Sequence, residues 1–343
     1  MLRISTVALV HLCLVTASEA ESADAKFASL PSMGTVVEKP ADDEKTVPER
    51  YQIRKNEFEY ETKFARESGP VRISKVRFPS PIKTDVEVNN TVHGDYFQPA
   101  GEGPFPGVVM LHILGGDFPL SQSISNGLAR RGIAVLFIRM PYYGERRDPK
   151  VGRRMISPDI DQTVEAMRQA IFDIRRAGAW LRSRPEVDAD RLGITGISLG
   201  GIMTSLAAEA EPRFRNVAIY LAGGGLPAAI WDHPDPKLRQ LRENWEAKGL
   251  DREAFLKQAA PTDPLTYADR LQDRRVLMVA AKHDEVIPPE CAVLLHKAIG
   301  KQAELVWLES GHISAALFLY SELERLVNFF SSDTTRETTT PSE

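Results

Sequence analysis

From Val71 onward, short runs of consecutive apolar residues alternate with longer stretches in which apolar residues recur every three or four positions. The runs are "PGVVMLHI" (106–113), "IAVLFIRM" (133–140), "LGITGIS" (192–198), "NVAIYLAG" (216–223), "RRVLMVAA" (274–281) and "AELVWLES" (303–310). A strand needs such continuity when both its faces are covered, as at the centre of a parallel sheet. "SQSISNGLARRG" predicts a helix ending at Gly132, and 159–185 places Val164, Met167, Ile171, Ile174 and Leu181 on one helical face with charges opposite. Ahead of these, "VRISKVRF" and "TVHGDYFQP" read as two antiparallel strands. The alternation implies βαβ units: an α/β fold with a mostly parallel central sheet, helices on both faces, and a ligand site at the carboxyl ends of the strands.

Outside this main domain, 70–330, the pattern fades. Residues 1–20 carry Arg3, an apolar stretch from Val7 to Ala17, and small residues Ser18 and Ala20. That is the build of a secretory signal peptide cleaved near Ala20, with an apolar stretch too short for a stable membrane span. Residues 21–69 are polar and charge-rich and read as an N-terminal extension: an arm, then a helical stretch around Tyr51 to Arg66. The interruption at 226–262 contains two helical patterns and reads either as a small cap over the site or as a surface insertion. Residues 331–343 lack apolar residues to bury and read as a disordered tail.

Composition adds constraints rather than chemistry. With 43% hydrophobic and 26% charged residues the chain is an ordinary globular protein, and its net charge of -4 gives no basic footprint for a nucleic-acid partner. Cleavage near Ala20 would leave Cys291 alone, so a secreted or periplasmic product would have no internal disulfide and would depend on its core.

"GITGISLGG" (193–201) contains the pattern G-x-S-x-G, which arises by chance in roughly one such chain in ten. Its context is what matters: Ser198 ends an apolar strand and opens the helical run "LGGIMTSLAAEAE", where a sharp turn would expose its hydroxyl. A serine hydroxyl needs a neutral imidazole to take its proton and a carboxylate to hold that imidazole, both from later strand-end loops, acid first. Asp284 in "VAAKHDEVIPP" and His312 in "LESGHIS" meet that demand, with Glu285 and then Asp263 as alternative acids. His11, His93, His233, His283 and His296 fall at the wrong stations, and His112 reads as a structural end-of-strand histidine.

A developing oxyanion needs two backbone donors. The Leu199 N–H, at the helix start, is one; Ile113 or Leu114 in "HILGGD" is the other. In "RMPYYGERRDPKVGRR", Tyr142 and Tyr143 either line a substrate pocket or form a packed turn, and Arg146, Arg147, Arg153 and Arg154 either attract an acidic substrate or form a solvated loop.

"GITGISLGG", "HDEVIPP" and "SGHIS" resemble the serine, acid and histidine stations of the α/β-hydrolase superfamily over roughly Val71 to Phe330. "LHILGGD" and "MPYYGERR" are similar in order and wording to the α/β hydrolase domain-containing protein 18 family, and "DEVIPP" and "SGHIS" resemble dienelactone-hydrolase-like and acetyl-xylan-esterase-like enzymes. Two residues depart from these patterns: Ile113 stands where a glycine is common, and Ser198 stands where dienelactone hydrolases carry cysteine. The resemblance implies a serine hydrolase of carboxylic esters, acting on a small-molecule, polysaccharide or lipid ester without metal or organic cofactor. A peptidase of related fold, or a silent binding protein on the same scaffold, are the alternatives.

Overall fold

A computed structural model describes residues 31–116 and 118–332; the expected signal peptide and all of the expected tail beyond 332 lie outside the described residues. The first strands are β1 (Ser32–Glu38), β2 (Asn56–Ser68), β3 (Val71–Pro79) and β4 (Thr91–Gln98), an antiparallel meander. The apolar runs become β5 (Phe105–Leu111), β6 (Ala134–Ile138), β7 (Val187–Ile197), β8 (Asn216–Tyr220), β9 (Arg275–Ala281) and β10 (Glu304–Leu308). All are paired in parallel, in one sheet of order β1-β2-β3-β4-β6-β5-β7-β8-β9-β10.

The helices are α1 (Phe118–Ala129), α2 (Ile160–Arg182), α3 (Leu199–Ala210), α4 (Leu226–Asp232), α5 (Pro236–Glu246), α6 (Arg252–Ala259), α7 (Pro289–Ile299) and α8 (Leu319–Ser331). Helices α1 and α8 cover one face of the sheet over Met110, Phe137, Tyr220 and Phe330. Helices α2, α3 and α7 cover the other, over Val109, Trp180, Met203 and Leu295. The loops after β5, β7, β9 and β10 meet at the carboxyl ends of these strands, which is where a crevice forms in a sheet of this kind.

Two expectations need correction. The stretch around Tyr51 to Arg66 is a single 3-10 turn at Glu49–Tyr51 followed by β2, not a helix. Phe58, Tyr60, Thr62 and Phe64 alternate with charged or small residues at a period of two, and β2 has a strand on each side to satisfy its backbone, Val36 pairing with Phe58 and Val76 with Thr62. The polar N-terminal extension is therefore woven into the main sheet from Ser32 on.

Part of the charged side of α2 is not solvated either. Arg175 is fully buried and is held by Glu44 (3.0 and 2.7 Å) and Glu211 (3.1 Å), while Arg176 reaches Glu38 at 3.1 Å. Glu38 and Glu44 come from the N-terminal segment, so these arginines rivet it across α2.

The insertion builds a small core of its own. Trp231, Trp245 and Phe255 stack with centroid separations from 4.5 to 6.0 Å, and the Trp245 indole N–H donates to the Pro158 carbonyl at 2.7 Å, tying α5 to the segment before α2.

Removing one partner of a buried ion pair strands the other charge in a dry site, which costs far more than the pair itself contributes. Arg175→Ala is expected to lower the free energy of unfolding by about 3–5 kcal/mol. Urea titration followed by circular dichroism checks this; a loss within 1 kcal/mol, on the order of an exposed pair, would show that the pair does not rivet the segment.

Candidate active site

Ser198 sits on the turn from β7 into α3 with φ 56° and ψ -118°, a conformation that non-glycine residues rarely adopt. The turn is as sharp as it is because β7 and α3 touch through missing side chains. A Cβ at Gly196 would stand 2.5 Å from the Gly200 carbonyl carbon, and one at Gly200 would stand 2.8 Å from the carbonyl oxygens of Leu111 and His112. The Ser198 N–H donates to the Tyr220 carbonyl, and the Ser198 carbonyl accepts from the Ile202 N–H, both at 2.9 Å. The strained residue is thus pinned from two sides.

His312 follows β10 and Asp284 follows β9. His312 Nε2 lies 2.9 Å from Ser198 Oγ, and its Nδ1 lies 2.7 Å from Asp284 Oδ2. A carboxylate at Nδ1 fixes the proton there and leaves the Nε2 lone pair facing the hydroxyl. Burial pushes the Asp284 carboxyl up, but the His312 hydrogen bond and the Ile287 and Val286 N–H groups, at 2.8 and 2.9 Å from Oδ1, more than offset it. The group is held below the usual carboxylate range, so it is ionised at neutral pH.

The alternative acids lie elsewhere. Glu285 Oε2 accepts the His312 backbone N–H at 3.2 Å and braces the loop rather than the ring. Asp263 accepts from the Gly225 and Leu265 N–H groups, at 2.8 and 3.1 Å. Among the other histidines, His93 lies on β4, His283 is exposed beside Glu309, His233 Nδ1 accepts from the Asp235 N–H, and His296 Nε2 meets the Ala303 carbonyl; His11 lies outside the described residues.

On the other side of Ser198 stands the loop after β5. The Leu199 N–H is in the first turn of α3, where no helical carbonyl can accept it and the helix dipole favours negative charge. Ile113 and Leu114 line the cavity beside Ser198. His112 holds this loop from beneath: Nδ1 is 2.9 Å from the Ile113 carbonyl, Nε2 accepts the Met140 N–H at 3.1 Å, and the ring is fully buried. Burial, aided by Arg139 and Arg146, pushes the imidazole down to about 4 despite the Ile113 hydrogen bond.

Tyr142 and Tyr143 do not line the cavity. The Tyr143 ring packs edge-on against His112 with centroids 4.6 Å apart, so it backs the histidine that holds the loop of Ile113 and Leu114. Tyr142 is buried, and its N–H donates to Asn89 Oδ1 at 3.0 Å. Arg146 is buried against Asp173 at 2.8 Å and Arg153 pairs with Asp85, so these two are structural.

The cavity at Ser198 and His312 measures about 430 Å³ and is walled from α1 and α8 as well as from the strands; no residue of 226–262 lines it. Sequence reasoning missed its α1 and α8 walls, for which the only signal was the apolar face of each helix. Among the described residues no cluster of three or more His, Cys, Asp or Glu side chains is arranged to hold a metal, and no helix is long and apolar enough to cross a membrane.

A parallel sheet, with a strained serine at the end of a central strand and an imidazole and carboxylate at the ends of later ones, is the α/β-hydrolase arrangement. Residues 166–334 match the model of the prolyl oligopeptidase family. Acyl-coenzyme A thioesterase 1 of Rattus norvegicus is 34% identical over 110 residues, covering 32% of this chain and 22% of that protein. Esterase EstD of Thermotoga maritima is 30% identical over 133 residues, covering 36% and 29%. The chain thus spans well under half the length of the curated relatives it matches. Acetyl xylan esterase 1 from Thermoanaerobacterium sp. shares the fold, with a TM-score of 0.59 at 19% identity over 84% of this chain and 96% of that one. The chain thus has the α/β-hydrolase fold and resembles hydrolases of that superfamily.

A histidine whose folded value lies near 4 stays neutral where the unfolded chain would already be protonated. His112 therefore adds stability that is present above about pH 6.5 and is lost as pH falls toward 4. Its ring resonances in a histidine-selective NMR titration are expected to stay fixed from pH 8 to 5; a midpoint near 6.5 would show that the loop's support is solvated.

Proposed function

We propose that this chain hydrolyses carboxylic esters through an acyl-enzyme on Ser198. The observation that carries the reading is the continuous hydrogen-bonded path from Ser198 Oγ through His312 to Asp284, at 2.9 and 2.7 Å. Ser198 Oγ bonds to the acyl carbon while His312 Nε2 takes its proton, and Asp284 stabilises the resulting imidazolium without itself being protonated. The carbonyl oxygen becomes an oxyanion facing the Leu199 N–H and the Ile113 or Leu114 N–H. The carbon–alkoxy bond then breaks, and His312 hands its proton to the departing alcohol. A water repeats the sequence: His312 takes its proton, its oxygen bonds to the acyl carbon, and Ser198 leaves with the proton restored.

No cofactor enters these steps, because base, nucleophile and electrophilic donors are all protein groups. The likeness to a thioesterase, an esterase and an acetyl xylan esterase supports acyl transfer to water as the chemistry. The apolar segment Val7 to Ala17, followed by Ser18 and Ala20, supports export of the mature enzyme.

A fluorophosphonate probe is expected to label the wild type at Ser198 and to label neither Ser198→Ala nor His312→Ala. Hydrolysis of p-nitrophenyl acetate is expected to fall on the order of 10⁴-fold or more in both variants. A correctly folded wild type that takes no label and turns over no ester would overturn the assignment.

A further inference from the structure

We propose that the cavity beside Ser198 is an acyl-chain pocket, and that the preferred substrates are esters of unbranched aliphatic acids of medium length rather than of acetic acid. This rests on the ester-hydrolase reading above and adds to it the acid component of the substrate.

The cavity of about 430 Å³ starts at Ser198 and His312 and runs between the sheet and the α1–α8 layer. Its inner wall is apolar and sealed: Met110 from β5, Ile124 from α1 and Leu326 from α8 are 1%, 3% and 4% exposed. An acetyl group needs room for one methyl at the serine. Protein interiors rarely leave spaces of this size between a sheet and its helices, because the lining atoms lose their contacts. A pocket this large, opening onto a nucleophile, falls within the volumes of ligand sites.

The wall chemistry selects against sugars. Three lining residues carry polar groups, apart from Ser198 and His312, and their hydrogen bonds are made within the protein, with both of those to Glu322 falling on Oε2. Thr195 donates to the Ala218 carbonyl at 2.9 Å, the Tyr220 hydroxyl donates to Glu322 at 3.3 Å, and Glu322 also accepts from Arg325 Nε at 2.9 Å. Among these walls the several hydroxyl groups of a sugar would lose their water with little besides the second oxygen of Glu322 to replace it, at about 1–3 kcal/mol for each group left unsatisfied. An alkyl chain loses nothing there.

The direction of the chain follows from the reaction. The alcohol must leave and water must enter while the acyl group stays bound to Ser198, so the part that can stay in the apolar cavity is the acyl part. The mouth agrees: Ile313 and Leu114, both in the lining, are 78% and 57% exposed, so a chain enters over apolar side chains.

The test is a series of p-nitrophenyl esters from acetate to palmitate on the wild-type chain. Each methylene moved from water into the pocket is expected to raise kcat/KM about fourfold, as ~0.8 kcal/mol per CH₂ gives, until the pocket is full and the rise stops among the medium chains. Leu120→Trp and Leu323→Trp, at half-buried lining positions where a larger ring grows into the cavity, are expected to lower the octanoate-to-acetate ratio of kcat/KM at least tenfold. Should those variants misfold, inactivation of the wild type by alkylphosphonate p-nitrophenyl esters of increasing chain length reads the same preference without them. Acetate turnover with a profile that is flat or falls toward octanoate would overturn the acyl pocket and leave the ester hydrolase standing. Absence of both labelling and turnover with every ester would overturn the two together.

Discussion

The contact that the rest of the site depends on is the one between the last residues of β7 and the first turn of α3. A Cβ on Gly196 would meet the backbone of Gly200, and one on Gly200 would meet the Leu111 and His112 carbonyls at the end of β5. Only with that approach can the chain reverse within one residue and hold Ser198 at φ 56°. A non-glycine residue in such a region costs on the order of 1–3 kcal/mol. The backbone bonds to Tyr220 and Ile202, together with the buried strand and helix on either side, over-determine the turn and keep that strain in place. A hydroxyl carried on a relaxed strand would point towards one of the helix-covered faces of the sheet instead of standing clear at its carboxyl end.

Around this turn the site is a set of loops, and each is held from below by a group that never meets a ligand in the proposed reaction. Asp284 is fixed by two backbone N–H groups before it meets His312. Glu285, its neighbour, anchors the backbone of His312. His112 and Tyr143 perform the same service for the loop of Ile113 and Leu114, one through its two ring nitrogens and the other by packing its ring against that histidine. A displacement of about 1 Å at a reacting centre can cost on the order of 10²-fold in rate. Burying a neutral histidine and a tyrosine under a loop is a way to prevent it.

The two faces of the sheet do different work. On the α2 face, ion pairs from Arg175 and Arg176 bind the N-terminal strands to the core, and the aromatic cluster of the insertion closes over the start of α2. The opposite face, under α1 and α8, includes the apolar-walled cavity, and its buried ion pair, Arg139 with Asp95, lies apart from the cavity lining. The segment that read as either a cap or a surface insertion contributes no residue to the cavity wall, so the lining chemistry is set by β-strands and by two helices far apart in sequence.

The sequence by itself determined the features that a short segment carries within itself. Continuous apolar runs marked β5 to β10 because a strand covered on both faces has no polar positions to spare, and chain order with turn chemistry singled out Ser198, Asp284 and His312, which the fold brings within hydrogen-bonding distance. The alternation in β2 was also present, and was obscured by a charge density that resembles a solvated arm until β1 and β3 are known to flank it. Only the tertiary structure decided whether a charge is solvated or buried, since Arg175 needs Glu44 and Glu211 from distant parts of the chain. It decided equally that Tyr143 braces a loop instead of lining a pocket, and that Leu120 and Leu323, more than two hundred residues apart, share one wall. Periodicity reports which face of an element is apolar; what that face meets is set by long-range packing.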